Sequence, residues 1–380
     1  MNDFFIGNTV KQLAVFTSAI HTYEIAETLT YAKQGKILDS YQKLIAIMKA
    51  FQLTKYSKSE ALKLVDVPIP TVNEHDVLVD VHATGLNLLD SKIKAGEFKL
   101  FLPYKFPLTL GHDVAGVVTQ VGKSVRKFKV GDNVYARPAD GRIGTFAEYI
   151  AMNENDVALK PQNLSMEEAA SLPLVALTAW QALVEYLNVK KGQKIFIQAG
   201  SGGVGTIAIQ LAKQLGATVA TTAGANSFAL LNQLGADVLI DYKTQDFETV
   251  LHDYDGVLNS QDKPTLEKSL NILKPGGRAV SISGPPTPAL AKQTGAPWFV
   301  KIILTLLSSG IRRKAKKLGV EYSFLFMRAE GRQLAEISKL VEAGTIKPVL
   351  DKVYSFDQLN DALAYVESGR AKGKVVVKVK

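Results

Sequence analysis

A short β-rich run, Lys194–Gln198, passes directly into Gly200-x-Gly202-x-x-Gly205 and then into a helix with apolar periodicity. Nothing else in the chain restricts its fold so tightly. Glycines at this spacing are common, but between a strand and a helix they predict a loop that cradles a dinucleotide pyrophosphate. Each glycine has its own task. Gly200 permits the tight turn, Gly202 lets the backbone approach the pyrophosphate, and Gly205 lets helix and strand pack closely. Ser201, Gly203 and Val204 complete the loop, and the helix start offers unpaired N–H groups and the positive end of its dipole to phosphate.

The following strand indicates which dinucleotide. After the helix stops at Gly216, a second strand is expected over Ala217–Thr222. About twenty residues past the glycines, a carboxylate would hold the adenosine ribose hydroxyls of NAD. Here the chain reads Thr221-Thr-Ala-Gly-Ala-Asn-Ser227, with no acid. A 2′-phosphate then meets no repulsion; Thr222, Asn226 and Ser227 can donate to it, and Lys243 can add charge. The expectation is NADPH rather than NADH, although the same residues also serve as ordinary turn formers.

Composition narrows the alternatives. With 380 residues, 47% hydrophobic and 21% charged, the chain has the make-up of a globular protein long enough for two cores. No apolar run reaches the roughly 18 residues of a membrane span, and no secretory signal pattern is present. The chain contains no cysteine. That removes disulfides, a thiol nucleophile and thiolate zinc sites, and it suits a reducing, cytoplasmic setting. The net charge of +9 is accounted for by an anionic cofactor and one local basic cluster; no nucleic-acid-binding motif accompanies it.

Three regions succeed one another along the chain. Met48 to about Val175 shows strand patterns broken by turn signals, as in Val77–His82, Gly131–Asn133 and Gly144–Tyr149, and predicts an antiparallel, barrel-like β domain. From about Pro173, strands are expected at Ile195–Gln198, Ala217–Thr222, Val238–Ile240, Gly256–Leu258 and Arg278–Ile282, with helices between them. This alternation predicts a doubly wound parallel sheet that binds ligands at the carboxyl ends of its strands. A helix over Gly331–Ala343, a strand over Val349–Tyr354, a helix over Phe356–Glu367 and a strand over Lys374–Val379 complete the chain. The expected division is an extension at 1–47, a catalytic domain at 48–172 and 328–380, and a cofactor domain at 173–327. Within the extension, Ile25–Ile37 echoes Leu334–Ile346; the expected explanation is chance similarity between two amphipathic helices ending in glycine.

Several further motifs stand in a fixed order: Gly85-Leu-Asn87-Leu-Leu-Asp90, Gly111-His-Asp-Val-Ala-Gly116-x5-Gly122, Gly131-Asp-Asn-Val, Leu172-Pro-Leu, Leu177-Thr-Ala-Trp, Gly235-Ala-Asp-x-x-Ile-Asp-Tyr242, Leu273-Lys-Pro-Gly-Gly277-Arg and Gly373-Lys-Val-Val. With the glycine loop they make Met48–Lys380 resemble the medium-chain dehydrogenase/reductases, specifically the zinc-independent, zeta-crystallin-like branch of quinone oxidoreductases and enone reductases. The resemblance implies an α/β protein: a GroES-like β-barrel domain completed by the C-terminal tail, a Rossmann domain, and an active site in the cleft between them. It also implies a homodimer paired through the edge of the Rossmann sheet, for which Tyr322–Met327 is the candidate strand, or else simply a last internal strand. For the cofactor it adds Tyr242 beside the adenosine 2′-phosphate, Ser281 and Ser283 at the nicotinamide, and Thr178. Lys372 and Lys374 either reach the nicotinamide side or lie in a solvated loop, the second being preferred.

Zinc-dependent relatives carry a cysteine where this chain has Asn87, a histidine at His112, and another cysteine near Leu174–Leu177. Only His112 remains, and a catalytic zinc needs three protein ligands, so no metal is expected. His112 is expected to be packed or hydrogen-bonded, and Asp113 to be a buried ion-pair partner. Without a Lewis acid, hydride transfer suits a quinone or an α,β-unsaturated carbonyl, whose conjugation spreads charge onto oxygen. Asn87 is a candidate donor to that oxygen, or an amide that caps its own turn toward Asp90. Tyr104 is a candidate for the acceptor pocket, or a surface aromatic. The competing readings are a catalytically idle NADPH-binding redox sensor or membrane-associated partner protein, and an alcohol dehydrogenase.

One segment stands outside the family pattern. Pro297–Ile311 is apolar and headed by Trp298, and Arg312–Lys317 carries five basic residues in six positions. Residues 297–317 either lie against an anionic membrane surface or cover the sheet or the acceptor pocket while the basic run is solvated. The second of these is expected.

Overall fold

The computed structural model describes residues 46–100 and 102–380. The segment Ile25–Ile37 and nearly all of the extension 1–47 lie outside the described residues. The chain divides into two units, Met1–Met48 with Val67–Ile69, and Lys49–Asp66 with Pro70–Lys380. The first has described residues only at 46–48 and 67–69, where Ile69 N–H donates to the Ala46 carbonyl at 2.9 Å. The second holds nearly all of the described residues.

The first half of the described chain is built from β1 (Ile47–Leu53), β2 (Lys63–Pro68), β3 (Asp76–Leu86), β4 (Leu108–Thr109), β5 (Val114–Val121), β6 (Asn133–Ala136), β7 (Tyr149–Asn153) and β8 (Val157–Leu159). Val77, Val79 and Val81, spaced two apart, all turn inward and are fully buried, as the pleat of a strand requires. They share a core with Val114, Val118 and Met152. Strand β3 pairs antiparallel with β5 and β7, and at its far end with β16 (Lys374–Lys378) from the tail. β16 in turn pairs parallel with β15 (Leu350–Ser355). The tail therefore returns to the first sheet, giving the GroES-like arrangement.

The second half is a six-stranded parallel sheet in the order β11-β10-β9-β12-β13-β14. Its strands are β9 (Lys194–Ile197), β10 (Thr218–Ala223), β11 (Val238–Asp241), β12 (Tyr254–Asn259), β13 (Leu273–Ser281) and β14 (Glu321–Phe324). Ile195, Phe196 and Ile197 are consecutive and all buried, because a parallel sheet is covered on both faces. Strand order reverses between β9 and β12, which opens a crevice at their carboxyl ends, the usual ligand position in a Rossmann fold. The fold class expected from the sequence is observed. Strand β14 stands at the sheet edge, but it ends at Phe324 rather than Met327.

Helix α1 (Leu88–Lys94) follows β3, and α2 (Met166–Ala170) and α3 (Pro173–Trp180) join the two halves. Every residue from Pro173 to Ala179 is buried, so α3 is apolar all round rather than amphipathic. A π-turn follows over Gln181–Tyr186. The glycine loop leads into α4 (Gly203–Gln214), which ends at the left-handed Gly216 (φ 81°). Around the sheet lie α5 (Phe228–Gln233), α6 (Phe247–Val250), α7 (Lys263–Asn271), α8 (Pro288–Gln293), α9 (Trp298–Leu307) and α10 (Ser309–Leu318), and the tail carries α11 (Gly331–Glu342) and α12 (Leu359–Glu367).

The expectation that 297–317 covers the sheet is only partly met. The segment breaks at Ser308 into α9 and α10. Helix α10 packs against α7 and β14, but α9 sits further out on α8 and buries only Val300 and Leu304. Sheet coverage here comes from α7 and α10, with Leu266, Leu270, Ile311 and Ala315 in one core. The remaining apolar face of α9 is left at the surface.

Candidate active site

The glycine loop forms as its spacing predicts, with one exchange of roles. The left-handed residue of the turn is Ala199 (φ 51°), not Gly200. Gly200 is required for another reason: a Cβ there would collide with the Thr221 hydroxyl, because the loop crosses close over β10. A Cβ on Gly205 would lie 2.5 Å from the Ala199 carbonyl oxygen and 2.7 Å from Gly200 Cα, so this glycine does let helix and strand meet. A Cβ on Gly202 would meet only the Ala199 oxygen, at 3.4 Å. The space above Gly202 is thus open, and α4 begins there with no side-chain cap. The first N–H groups of a helix have no partner within it. Gly203, Val204 and Gly205 supply them here, and these features fit a pyrophosphate.

At the adenosine side, Thr222 is mostly buried. Its hydroxyl oxygen accepts from Ala199 N–H at 3.2 Å, and its carbonyl accepts from Gly200 N–H at 3.0 Å. Ser227 donates to Asn226 Oδ1 at 3.4 Å. Tyr242 follows the end of β11 and is 63% exposed, next to the exposed Lys243. Lys372 donates its ammonium to the Asn226 carbonyl at 3.1 Å. Left-handed backbone at Gly373 (φ 83°) turns Lys372 and Lys374 away from each other.

Lys374 corrects the preferred expectation of a solvated loop, because it is buried. Its ammonium donates to the Leu86 carbonyl at 2.7 Å, to Asn87 Oδ1 at 2.6 Å and to Asp113 Oδ2 at 3.1 Å. Asp113 has no exposed surface. Its other oxygen accepts from Leu174 N–H at 2.6 Å, in the first turn of α3, where the helix dipole favours a carboxylate. The Asn87 amide completes the cluster by donating to Asp113 Oδ2 at 2.9 Å. Of the two alternatives for Asn87, the geometry bears only on the turn toward Asp90. Its backbone N–H caps toward Asp90 at 2.8 Å, while its side chain faces Lys374 and Asp113. An amide nitrogen carries two protons, and the second has no acceptor among the described residues.

One turn along, His112 Nδ1 lies 2.6 Å from Asp90 Oδ1, with both side chains fully buried. His112 Nε2 has no partner. The ligand set does not suit zinc. Asn87 already holds the Lys374 ammonium, which places a positive charge where a second metal ligand would stand, and Asp90 engages His112. Among the described residues, no group of three or more histidines or acids is arranged to hold a metal ion.

Tyr104 donates its backbone N–H to the Tyr56 hydroxyl at 3.0 Å. Its own hydroxyl is buried and unpartnered. Burial first, and then the charge of Asp140, hold this phenol above its ordinary range, so it stays protonated and keeps a proton to donate. Thr178 turns its hydroxyl proton back to the Leu174 carbonyl at 2.7 Å. Ser281 is fully buried. It donates to Asn259 Oδ1 at 2.5 Å and accepts from Gly284 N–H at 2.7 Å, so it shapes the turn after β13 instead of lining a surface. Ser283 retains exposure and donates to the Gln261 carbonyl at 2.5 Å.

The tail joins the two groups of residues. Gly373 N–H donates to the Ser201 carbonyl at 2.8 Å, and a Cβ on Gly203 would touch Lys374 Cδ at 3.0 Å. The pyrophosphate loop and the Asn87–Asp113 cluster are thus neighbours, bridged by two consecutive residues.

A barrel joined to a doubly wound sheet, with a glycine loop beside a buried polar cluster, is the architecture of dinucleotide-dependent oxidoreductases. Residues 73–162 match the alcohol dehydrogenase GroES-like domain, and residues 234–377 match the zinc-binding dehydrogenase domain. A 2-methylene-furan-3-one reductase of Solanum lycopersicum is 38% identical over 341 residues, covering 87% of this chain and 79% of that protein. An NADPH-dependent alkenal/one oxidoreductase of Arabidopsis thaliana is 34% identical over 341 residues, covering 87% and 79%. The solved quinone oxidoreductase of Coxiella burnetii superposes with a TM-score of 0.77 at 31% identity, covering 88% of this chain and 100% of that one. The chain belongs to the medium-chain dehydrogenase/reductase superfamily, in the branch of quinone oxidoreductases and enone reductases.

Proposed function

We propose that the protein is a zinc-independent, NADPH-dependent oxidoreductase that reduces a quinone or an α,β-unsaturated carbonyl. The observation that carries this reading is the Asn87–Lys374–Asp113 cluster, a fixed amide and ammonium beside the glycine loop. Bound NADPH supplies the hydride. The N–H groups of Gly203, Val204 and Gly205 hold its pyrophosphate, and Thr222, Asn226, Ser227, Tyr242, Lys243 and Lys372 surround its adenosine phosphate. Thr178 and Ser283 border the nicotinamide end, and the buried Ser281 holds the Ser283–Gly284 turn in place.

As hydride adds to the conjugated acceptor, its electron pair is displaced onto the acceptor oxygen as an enolate or hydroquinone anion, and the free Asn87 N–H donates to that oxygen. Lys374, bonded to the Asn87 oxygen, draws electron density from the amide and makes that N–H a stronger donor, as preorganised charge does in a site shielded from water. Tyr104, held protonated, can deliver a proton, and solvent is the alternative source. His112 and Asp90 keep α1, and with it Asn87, in position.

The test is loss of reduced-nicotinamide absorbance with NADPH and NADH across a panel of quinones, enones and enals, with and without a chelator. Chelator-insensitive turnover that is faster with NADPH is the expected result. Tight NADPH binding without turnover on any acceptor would favour the sensor reading instead. Thr222→Asp places the missing acid where it would meet the 2′-phosphate. It is expected to shift the NADPH-to-NADH preference at least about tenfold toward NADH, close to 1.4 kcal/mol, read as the ratio of kcat/KM values.

The same reading includes a homodimer in which β14 pairs across the sheet edge; among the described residues its outer side has no strand partner. A cytoplasmic setting is proposed on the cysteine-free composition. The relatives include mitochondrial and chloroplastic proteins, and among the described residues no helix is long and apolar enough to cross a membrane.

A further inference from the structure

Helix α9 has two unlike apolar faces. Val300 and Leu304 point inward onto Leu290 and Ala291 of α8. On the other side Trp298 (76% exposed), Leu306 (69%), Leu307, Ile302 and Phe299 form a continuous apolar surface. At 100° per residue these positions span about half the helix circumference. Monomeric proteins seldom leave so much contiguous apolar surface in water without a use for it.

Its neighbour explains what the face suits. Helix α10 brings Arg312, Arg313, Lys316 and Lys317 to the surface, and Lys301 is exposed on α9 itself. The carboxylates on the elements that α10 packs against are engaged elsewhere: Glu267 with Lys263, and Glu321 with Arg278. These cations therefore present unneutralised charge beside the apolar surface. A helix of 10 residues is about 15 Å long, half of what a bilayer core requires. It can lie in the headgroup plane, with an aromatic residue at the interface and basic groups on anionic headgroups.

We infer that α9 and α10 together form a docking face for an anionic bilayer surface. The apolar side chains of α9 enter the boundary between headgroups and acyl chains, and the cations of α10 meet lipid phosphates. A second copy of the chain is a poorer occupant, because a twofold axis through this face would bring the same basic helix from each copy together. The inference does not rest on the reductase reading. Where both hold, the cleft is brought to acceptors dissolved in lipid.

The test is co-sedimentation of the full chain with phosphatidylcholine vesicles and with vesicles containing phosphatidylglycerol, at low and high salt. It uses wild type, a Trp298→Asp/Leu306→Asp variant and an Arg312→Glu/Lys316→Glu variant. NADPH binding confirms the fold of each, and light scattering reports its mass. Wild type is expected to bind the anionic vesicles at low salt, at least about tenfold better than the neutral ones, and each variant to lose that binding while keeping its mass. The inference is overturned if wild type stays in the supernatant with both vesicle types, or if neither variant weakens binding. It is also overturned if the apolar variant changes from dimer to monomer while vesicle binding is unaltered; the face would then be covered by a second copy.

Discussion

Replacing Lys374 with methionine is expected to destabilise the protein by about 3–5 kcal/mol, as the loss of one partner from a buried ion pair does. Methionine keeps the length and the packing of the stem against Gly203, so the loss isolates the charge. It leaves the Asp113 carboxylate, which has no exposed surface, with only the neutral donors of Leu174 and Asn87. A denaturation midpoint shifted at unchanged slope would measure this. The double variant Lys374→Met/Asp113→Asn removes both charges and is expected to recover much of the stability, since the penalty arises from the unpaired charge rather than from the missing bond. Recovery of stability without recovery of kcat would separate the structural role of Lys374 from its polarisation of Asn87. If Lys374→Met is as stable as wild type, the buried pair is not formed.

Asn87→Ala is expected to lower kcat by about 10²-fold, the scale of losing one donor to a developing oxyanion. Affinity for NADPH should be unchanged if Asn87 serves the acceptor as proposed, because the glycine loop keeps its own contacts. The distinguishing readout is the kcat-against-KM split. A donor used mainly in the transition state lowers kcat and kcat/KM together, whereas loss of uniform binding raises KM alone. A rise in KM with kcat intact would make Asn87 a group that binds the acceptor equally in ground and transition states, and not an oxyanion donor. Lys374→Met should show a smaller kcat effect than Asn87→Ala, since it weakens the donor without removing it.

Parts of this arrangement were legible in the sequence for reasons that can be named. The glycine loop is readable because the strand, the glycines and the helix are independent local signals that agree. β9 reads as a strand because a sheet covered on both faces makes consecutive residues apolar. Lys374 was not legible as a buried residue. A lysine near a glycine in a terminal segment looks solvated, and its burial is decided by Asn87 and Asp113, which only the folded chain brings to it. The exchange between Ala199 and Gly200 was hidden for a similar reason, since Gly200 answers to the Thr221 side chain on another strand. The apolar run at 298–307 pointed to burial, yet α7 and α10 already cover that part of the sheet. Periodicity reports that a helix has an apolar face, but not whether a neighbour is available for it. Asp113 was legible as a buried ion-pair partner from its place beside His112, and it is buried and paired, but which cation would meet it was not legible.

The contact between Lys374 and Asn87 spans 287 positions of the chain. Contacts of such separation are slow to form, because the loop they close must lose its entropy before any interaction rewards it. The glycine loop, by contrast, takes its shape from β9, α4 and β10, which follow one another in sequence, and the tail adds only the Gly373–Ser201 bond and Lys372 to it. During refolding, competence to bind the cofactor should therefore appear before competence to turn over. A population that holds the dinucleotide yet cannot use it would mark the interval in which β16 has not reached β3.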